Sequence, residues 1–259
     1  MNIELQATNK ISDMVSACPH LEPVIDSNDK TPLTDGHIDV HSSSEVHSKA
    51  NFEGRVSVQV KGLSFKGKWK DLPRTYSISR IDLDGYLKNQ GVLYFVVFIN
   101  PKTGTRKSTY ILLNPYKIQA LIKDMGSKKS VAIQIKPLPS DRPKIENIVR
   151  LALQTRNENP NTRIDYTQLG DLSRIKLYTD GELNINGPLT LDHKNYDFSL
   201  VLETTGGASV YVDQVFTLIP EEYVSKPTDL IVASGDFEFS HPSRAELTIE
   251  LSSCSSAKG

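Results

Sequence analysis

The 259-residue chain reads as α/β: a mixed sheet flanked by helices, followed by a mostly-β, sandwich-like second domain. Three observations lead there. A helix-spaced segment precedes two short strands in which apolar and polar residues alternate. A capped helix is followed by GVLYFVVFIN, which shows no alternation and is rich in Val and aromatics, as a strand buried on both faces must be. From Arg174 onward, short alternating pieces recur between Gly, Pro and Asp residues, the pattern of a sandwich or barrel.

Between Glu4 and Ser16, Leu5, Ile11, Met14 and Val15 recur at near-helical spacing, predicting a first helix that ends before Pro19. LEPVI, from Leu21, predicts a short strand. In HIDVH, Ile38 and Val40 alternate with His37, Asp39 and His41. In GRVSVQVKG, Val56, Val58 and Val60 alternate with Ser57, Gln59 and Lys61, so each strand has an apolar and a polar face. Pro73 opens an extended piece, TYSIS. Ser79 with Asp82 resembles a capping box, starting a helix through Leu87 that stops near Gly91. The central apolar strand comes next, then the turn PKTGT and the strand STYILL. Asn114 and Pro115 supply the cap and first position of the helix YKIQALIKD. The strand VAIQIK closes this half.

Three prolines, Pro137, Pro139 and Pro143, discourage regular structure and place a boundary there. The expected domains are 1–140 and 141–259. The second opens with the amphipathic helix IENIVRLALQTR and continues through RIKLYT, YDFSLVLE, ASVYVDQVF, DLIVAS, DFEFS and AELTIEL.

Composition narrows the function. With 38% hydrophobic and 24% charged residues the chain is globular, and its longest apolar run, Val92 to Ile99, falls far short of the roughly 20 residues that cross a bilayer. Two cysteines, Cys18 and Cys254, build neither a disulfide framework nor a cysteine-rich zinc site, and no secretory signal is visible. A cytoplasmic protein without a membrane partner is expected. The net charge of −1 hides a division: residues 1–140 carry 19 Lys+Arg against 13 Asp+Glu, whereas residues 141–259 carry 11 against 18. The basic excess sits between Gly54 and Arg80. Arg55, Lys66, Lys68, Lys70 and Arg74, interleaved with Trp69, are candidates for gripping a nucleic-acid backbone, with Trp69 stacking on a base. The competing reading is a hairpin whose aromatics plug the core while its lysines face water. The acidic second half suits association with a protein or with a second copy.

No phosphate-cradling glycine loop and no nucleophile elbow occurs, which argues against nucleotide hydrolysis and serine-type acyl chemistry. What remains is Asp35-Gly36-His37-Ile38-Asp39 followed by Gln59-Val60-Lys61. On adjacent strands, Asp39, Gln59 and Lys61 share a polar face and offer a carboxylate, an amide oxygen and an ammonium. Mg²⁺ takes hard oxygen ligands, and a lysine beside it can orient a water or stabilise charge on phosphate oxygens. His37, His41 and His47 invite a zinc reading, but four strand residues span about 13 Å, so His37 and His41 do not share an ion and read as surface or outer histidines.

TDGHIDV, RVSVQVKG and GVLYFVVFIN, in this order of helices and strands, resemble the PD-(D/E)XK, or restriction-endonuclease-like, superfamily, especially bacterial proteins related to Mrr-type nucleases. The resemblance covers residues 1 to about 140. It implies a restriction-endonuclease-like fold and a Mg²⁺- or Mn²⁺-dependent DNA endonuclease in bacterial restriction or phage defence. By resemblance Asp39 or Asp35 binds metal with Gln59, Lys61 completes the motif, and Glu4 on the first helix assists. Strand parity favours Asp39, because Asp35 sits in the turn before the strand. Gln59 stands where Glu or Asp is commoner, which removes one negative charge. A non-cutting module that keeps the fold and binds nucleic acid or a partner is the alternative.

Overall fold

A computed structural model describes residues 2–26, 33–45, 47–159, 172–180, 187–212, 216–220 and 247–251. They fall into two compact units, Met1–Asn157 and Glu158–Gly259. The expected strands DLIVAS and DFEFS lie outside the described residues, as does most of the turn SNDKTPLTDG.

The first unit opens with helix α1 (Ile3–Ser16), whose Asn2 side chain accepts from the Leu5 amide. Strands β1 (Leu21–Ile25), β2 (Gly36–His41) and β3 (Phe52–Ser64) form an antiparallel meander. Strand β4 (Thr75–Ser79) leads into helix α2 (Arg80–Lys88), capped by Ser79, whose hydroxyl accepts from the Asp82 amide. Strand β5 (Val92–Ile99) then returns parallel to β3, with α2 in the crossover. All eight residues of β5 are buried, as expected of a central strand. Strand β6 (Arg106–Leu113) pairs with it antiparallel, and Asn114 and Pro115 start helix α3 (Pro115–Met125).

Strand β7 (Ser130–Gln134) pairs with β4 in a separate two-stranded sheet, and β8 (Lys136–Pro137) completes the main sheet, ordered β1-β2-β3-β5-β6-β8. Helices cover both faces. Val92, Tyr94, Val96 and Phe98 share one cluster with Leu83 and Tyr86 of α2 and Ile118 of α3. The opposite face of β3 receives α1 and helix α4 (Arg142–Thr155). At Gly54 an added Cβ would meet Leu153 of α4, and at Gly62 it would meet Ile3 and Ala7 of α1. Burying residues such as Phe95 and Leu93 contributes about 1.5–3 kcal/mol each.

The boundary expected at residue 140 is displaced to Asn157. The prolines do break the chain, but Ile145, Val149 and Ala152 of α4 are buried, and the helix packs on β3, β2 and β5. Its amphipathic face therefore closes the first unit.

The second unit contains β9 (Leu172–Thr179), β10 (Leu189–Leu191), β11 (Phe198–Thr204), β12 (Ser209–Tyr211), β13 (Phe216–Pro220) and β14 (Leu247–Leu251). They form two antiparallel three-stranded sheets, β10-β13-β14 and β12-β11-β9. Leu191 and Leu218 of the first sheet join Ile175, Phe198, Leu200 and Leu202 of the second in one apolar cluster.

Candidate functional site

The candidate site lies where β2 stops and β3 runs on. Pairing begins at Gly36 opposite Val58, so from Gln59 to Ser64 strand β3 keeps β5 on one side and has no β2 on the other. The backbone amide of Val60 would face that open edge without a ladder partner. Asp35, the residue before β2, supplies one: its Oδ2 accepts from the Val60 amide at 2.7 Å and from Gln59 Nε2 at 2.5 Å. The Asp35 amide in turn donates to the Val58 carbonyl at 2.9 Å.

Gly36 makes this turn possible. Its φ of 135° suits glycine, and a Cβ there would lie 2.1 Å from the Val24 carbonyl oxygen. On the other side, Gly62 lets the first turn of α1 approach β3, which brings Glu4 to the same edge. Asn2, Ile3, Glu4, Gln59, Val60, Lys61 and Gly62 line a cleft of about 410 Å³.

The electrostatics are those of an acidic site with one cation beside it. Burial raises the Asp35 carboxyl above its ordinary value, and the Glu4 charge pushes the same way. The Val60 and Gln59 hydrogen bonds and the Lys61 ammonium oppose that shift. Oδ2 takes both hydrogen bonds, and no other described residue donates to this carboxylate, so Oδ1 is left for a ligand. With its Nε2 on Asp35, Gln59 keeps its Oε1 as a neutral oxygen donor. A half-buried carboxylate, an exposed carboxylate and an amide oxygen are the donor set that fits a hard divalent cation such as Mg²⁺.

Asp39 occupies a different place. It shares the polar face with Gln59, as parity predicts, but the register sets it opposite Arg55. Arg55 grips it with two bonds, Nε to Oδ1 at 2.7 Å and an Nη to Oδ2 at 2.9 Å, which holds the Asp39 carboxyl below its ordinary value. His37 Nε2 stands 3.7 Å from Asp39 Oδ1. Asp39 and Gln59 are four positions apart along the β2–β3 ladder, about 13 Å, so they do not meet at one ion. Asp35 therefore replaces Asp39 as the acid beside Gln59 and Lys61.

The basic segment divides similarly. Arg55, half exposed, is engaged by Asp39. Trp69, in a short 3-10 turn Trp69–Asp71, packs on the core cluster, with Phe65 at a ring-centroid distance of 5.4 Å and the Lys107 ammonium 5.7 Å from its ring. It plugs the edge of the core instead of standing out as a stacking platform. Lys66, Lys68, Lys70 and Arg74 are exposed. The free thiol of Cys18 is buried, and desolvation pushes it up to about 11, which rules it out as a ready nucleophile.

Nothing in the sequence pattern marks Tyr86. This buried residue of α2 lies within the electrostatic reach of Asp35 and Asp82, and its ring meets Tyr94 at 6.3 Å. Burial raises its hydroxyl well above the ordinary value, so it stays protonated. Only the β3–β5 pairing, which sets Gln59 beside Tyr94, brings this group near the site.

Among the described residues no helix is long and apolar enough to cross a membrane. No protein-family model, no curated protein and no solved structure matches the chain.

Proposed function

We propose that the first unit is a divalent-metal-dependent nuclease of the restriction-endonuclease-like type, hydrolysing phosphodiester bonds in DNA. The observation that carries the reading is the convergence of Asp35, Gln59, Lys61 and Glu4 on one open strand edge. The order helix, three antiparallel strands, helix, parallel strand supports it, as does the resemblance in TDGHIDV, RVSVQVKG and GVLYFVVFIN.

Asp35 Oδ1, Gln59 Oε1 and Glu4 would hold Mg²⁺ or Mn²⁺, which when bound supplies charge stabilisation at the phosphate oxygens and lowers the pKa of a bound water. Gln59 orients the Asp35 carboxylate through its amide hydrogen bond. The Val60 amide fixes the same oxygen, so the acid does not swing away when substrate enters. Lys61 stabilises the charge that grows on the phosphate oxygens and positions the attacking water. Lys66, Lys68, Lys70 and Arg74 supply backbone attraction, and the acidic second unit is left to bind a protein or a second copy. A place in bacterial restriction or phage defence rests on the resemblance.

One observation favours a second reading, a silent module that binds nucleic acid without cutting. Asp35 already satisfies Val60 and Gln59, as a strand cap would, and Gln59 brings no charge. The test is cleavage of supercoiled plasmid DNA by the full chain in Mg²⁺ or Mn²⁺, beside Lys61→Ala. Nicking that needs the metal and falls about 10²- to 10³-fold in the variant supports the nuclease. DNA binding without cleavage in either metal supports the module.

A further inference from the structure

The far end of β2 carries a second cluster, independent of the Asp35 edge. His41 is the last residue of β2 and is buried, with 5% exposure. Among the described residues neither of its ring nitrogens has a hydrogen-bond partner, which is costly for a buried polar ring. The chain between β2 and β3 folds His47 back onto it, the two imidazoles stacking at 4.2 Å between centroids and 1° between planes. Glu22 of β1 completes the group. Its Oε2 lies 3.6 Å from His41 Nε2 and 3.5 Å from His47 Nδ1. One donor atom from each of the three lies within 4.8 Å of the others.

Chemistry decides what these donors want. His47 Nε2 lies 2.9 Å from the Pro19 carbonyl oxygen, which can only accept, so Nε2 carries the proton. In the neutral ring, Nδ1 then points a lone pair at a carboxylate oxygen, a repulsive pairing unless a cation lies between them. A backbone carbonyl holding the far nitrogen of an imidazole is also the usual outer support of a metal-ligating histidine. In a tetrahedral zinc site with bonds of about 2.0–2.1 Å, ligand atoms stand about 3.3 Å apart, close to the two Glu22 separations. The parallel stacking leaves the two lone pairs side by side, so the ion must tilt a ring. His47, on an exposed loop, is the ring with room to tilt, pivoting about its bond to the Pro19 carbonyl.

We propose that Glu22, His41 and His47 form a site for a borderline divalent transition-metal ion of the zinc class, with a fourth position open to water. Two imidazoles and one carboxylate select such an ion over Mg²⁺, which prefers oxygen ligands. The ion ties β1, the end of β2 and the following loop together. It is separate from the proposed catalytic cation, because Asp35 and His41 bracket β2, about 20 Å apart along the strand.

The test uses the full chain stripped by chelator dialysis and titrated with Co²⁺, whose visible absorption is strong in four-coordinate and weak in six-coordinate sites, followed by displacement with Zn²⁺. One equivalent should give the four-coordinate spectrum and raise the melting temperature. The exposed His47→Ala variant should fold as before without metal and bind at least about 100-fold more weakly. Glu22→Gln, which keeps the side-chain shape, should also lose the spectrum, whereas Asp35→Asn and His37→Ala should keep it. Absence of a four-coordinate spectrum in the natural chain overturns the proposal. So does an unchanged spectrum in His47→Ala.

Discussion

Gln59 donates its side-chain amide to Asp35 at 2.5 Å because the β2–β3 register, continued one position past Gly36, sets the two residues face to face. The same register sets Asp39 against Arg55. Two aspartates on one polar face thus have opposite electrostatic fates: Asp35 is half-buried and raised, Asp39 is paired and lowered.

The two acids are therefore separable by substitution. Asp35→Asn should abolish Mg²⁺-dependent stabilisation and cleavage, whereas Asp39→Asn should keep both and cost about 1 kcal/mol, since Arg55 stays half exposed to solvent. The measurement is melting temperature with and without Mg²⁺, since a cation at 100 times its dissociation constant adds about 2.7 kcal/mol. Loss of the Mg²⁺ effect in Asp39→Asn alone would return the site to that residue.

How far the sequence could reach shows in this pair. Alternation is a local signal, and it assigned the apolar and polar faces of β2 and β3, the buried β5 and the Ser79 and Asn114 caps as the structure has them. Register is not local. It depends on how the chain from Ser42 to Asn51 closes, and a period of two leaves residues 35, 37 and 39 equivalent. The edge cap by Asp35 and the folding of His47 onto His41 both follow from that closure, so neither was legible. Helix α4 was legible as a helix but not as part of the first unit, because amphipathicity does not name the surface that receives it.

The Asp35 shift fixes a pH dependence and its sign. A carboxyl raised in the folded state favours the protonated form, so its contribution is fully present below the unfolded value near 3.8 and is lost as pH rises through the folded one. Without metal, the melting temperature of Asp35→Asn should gain on that of the natural chain as pH rises from about 4 towards 7. Asp39, lowered by Arg55, works the other way, and its contribution disappears only as pH falls below about 4. A difference between Asp35→Asn and the natural chain that stays flat across this range contradicts the raised carboxyl.

The exposed lysines and Arg55 make different predictions for DNA. Replacing Lys66, Lys68 and Lys70 by Gln should reduce the slope of log affinity against log salt by about 0.9 for each DNA phosphate that is no longer neutralised. Arg55→Gln should leave the slope nearly unchanged, because Asp39 already holds the guanidinium. Filter binding across a salt series reads both, and an unaltered slope in the triple variant makes these lysines a solvated surface only.

Gly62 ties the fold to the site through the approach of α1. A methyl there would meet the Ile3 carbonyl oxygen at 2.7 Å, Ile3 Cγ2 at 2.9 Å and Ala7 Cβ at 3.1 Å, so Gly62→Ala must push the first turn of α1 off β3. Overpacking of this kind costs about 1–3 kcal/mol, and it carries Glu4 away from the strand edge as well. Glu4→Gln isolates the second effect, since an exposed first-turn residue can lose its charge without disturbing the core. Both variants should weaken Mg²⁺ binding, but only Gly62→Ala should lower the melting temperature of the metal-free protein. Calorimetric titration with Mg²⁺ beside a thermal melt distinguishes them. If Glu4→Gln binds Mg²⁺ as the natural chain does, the helix only closes the cleft and contributes no ligand.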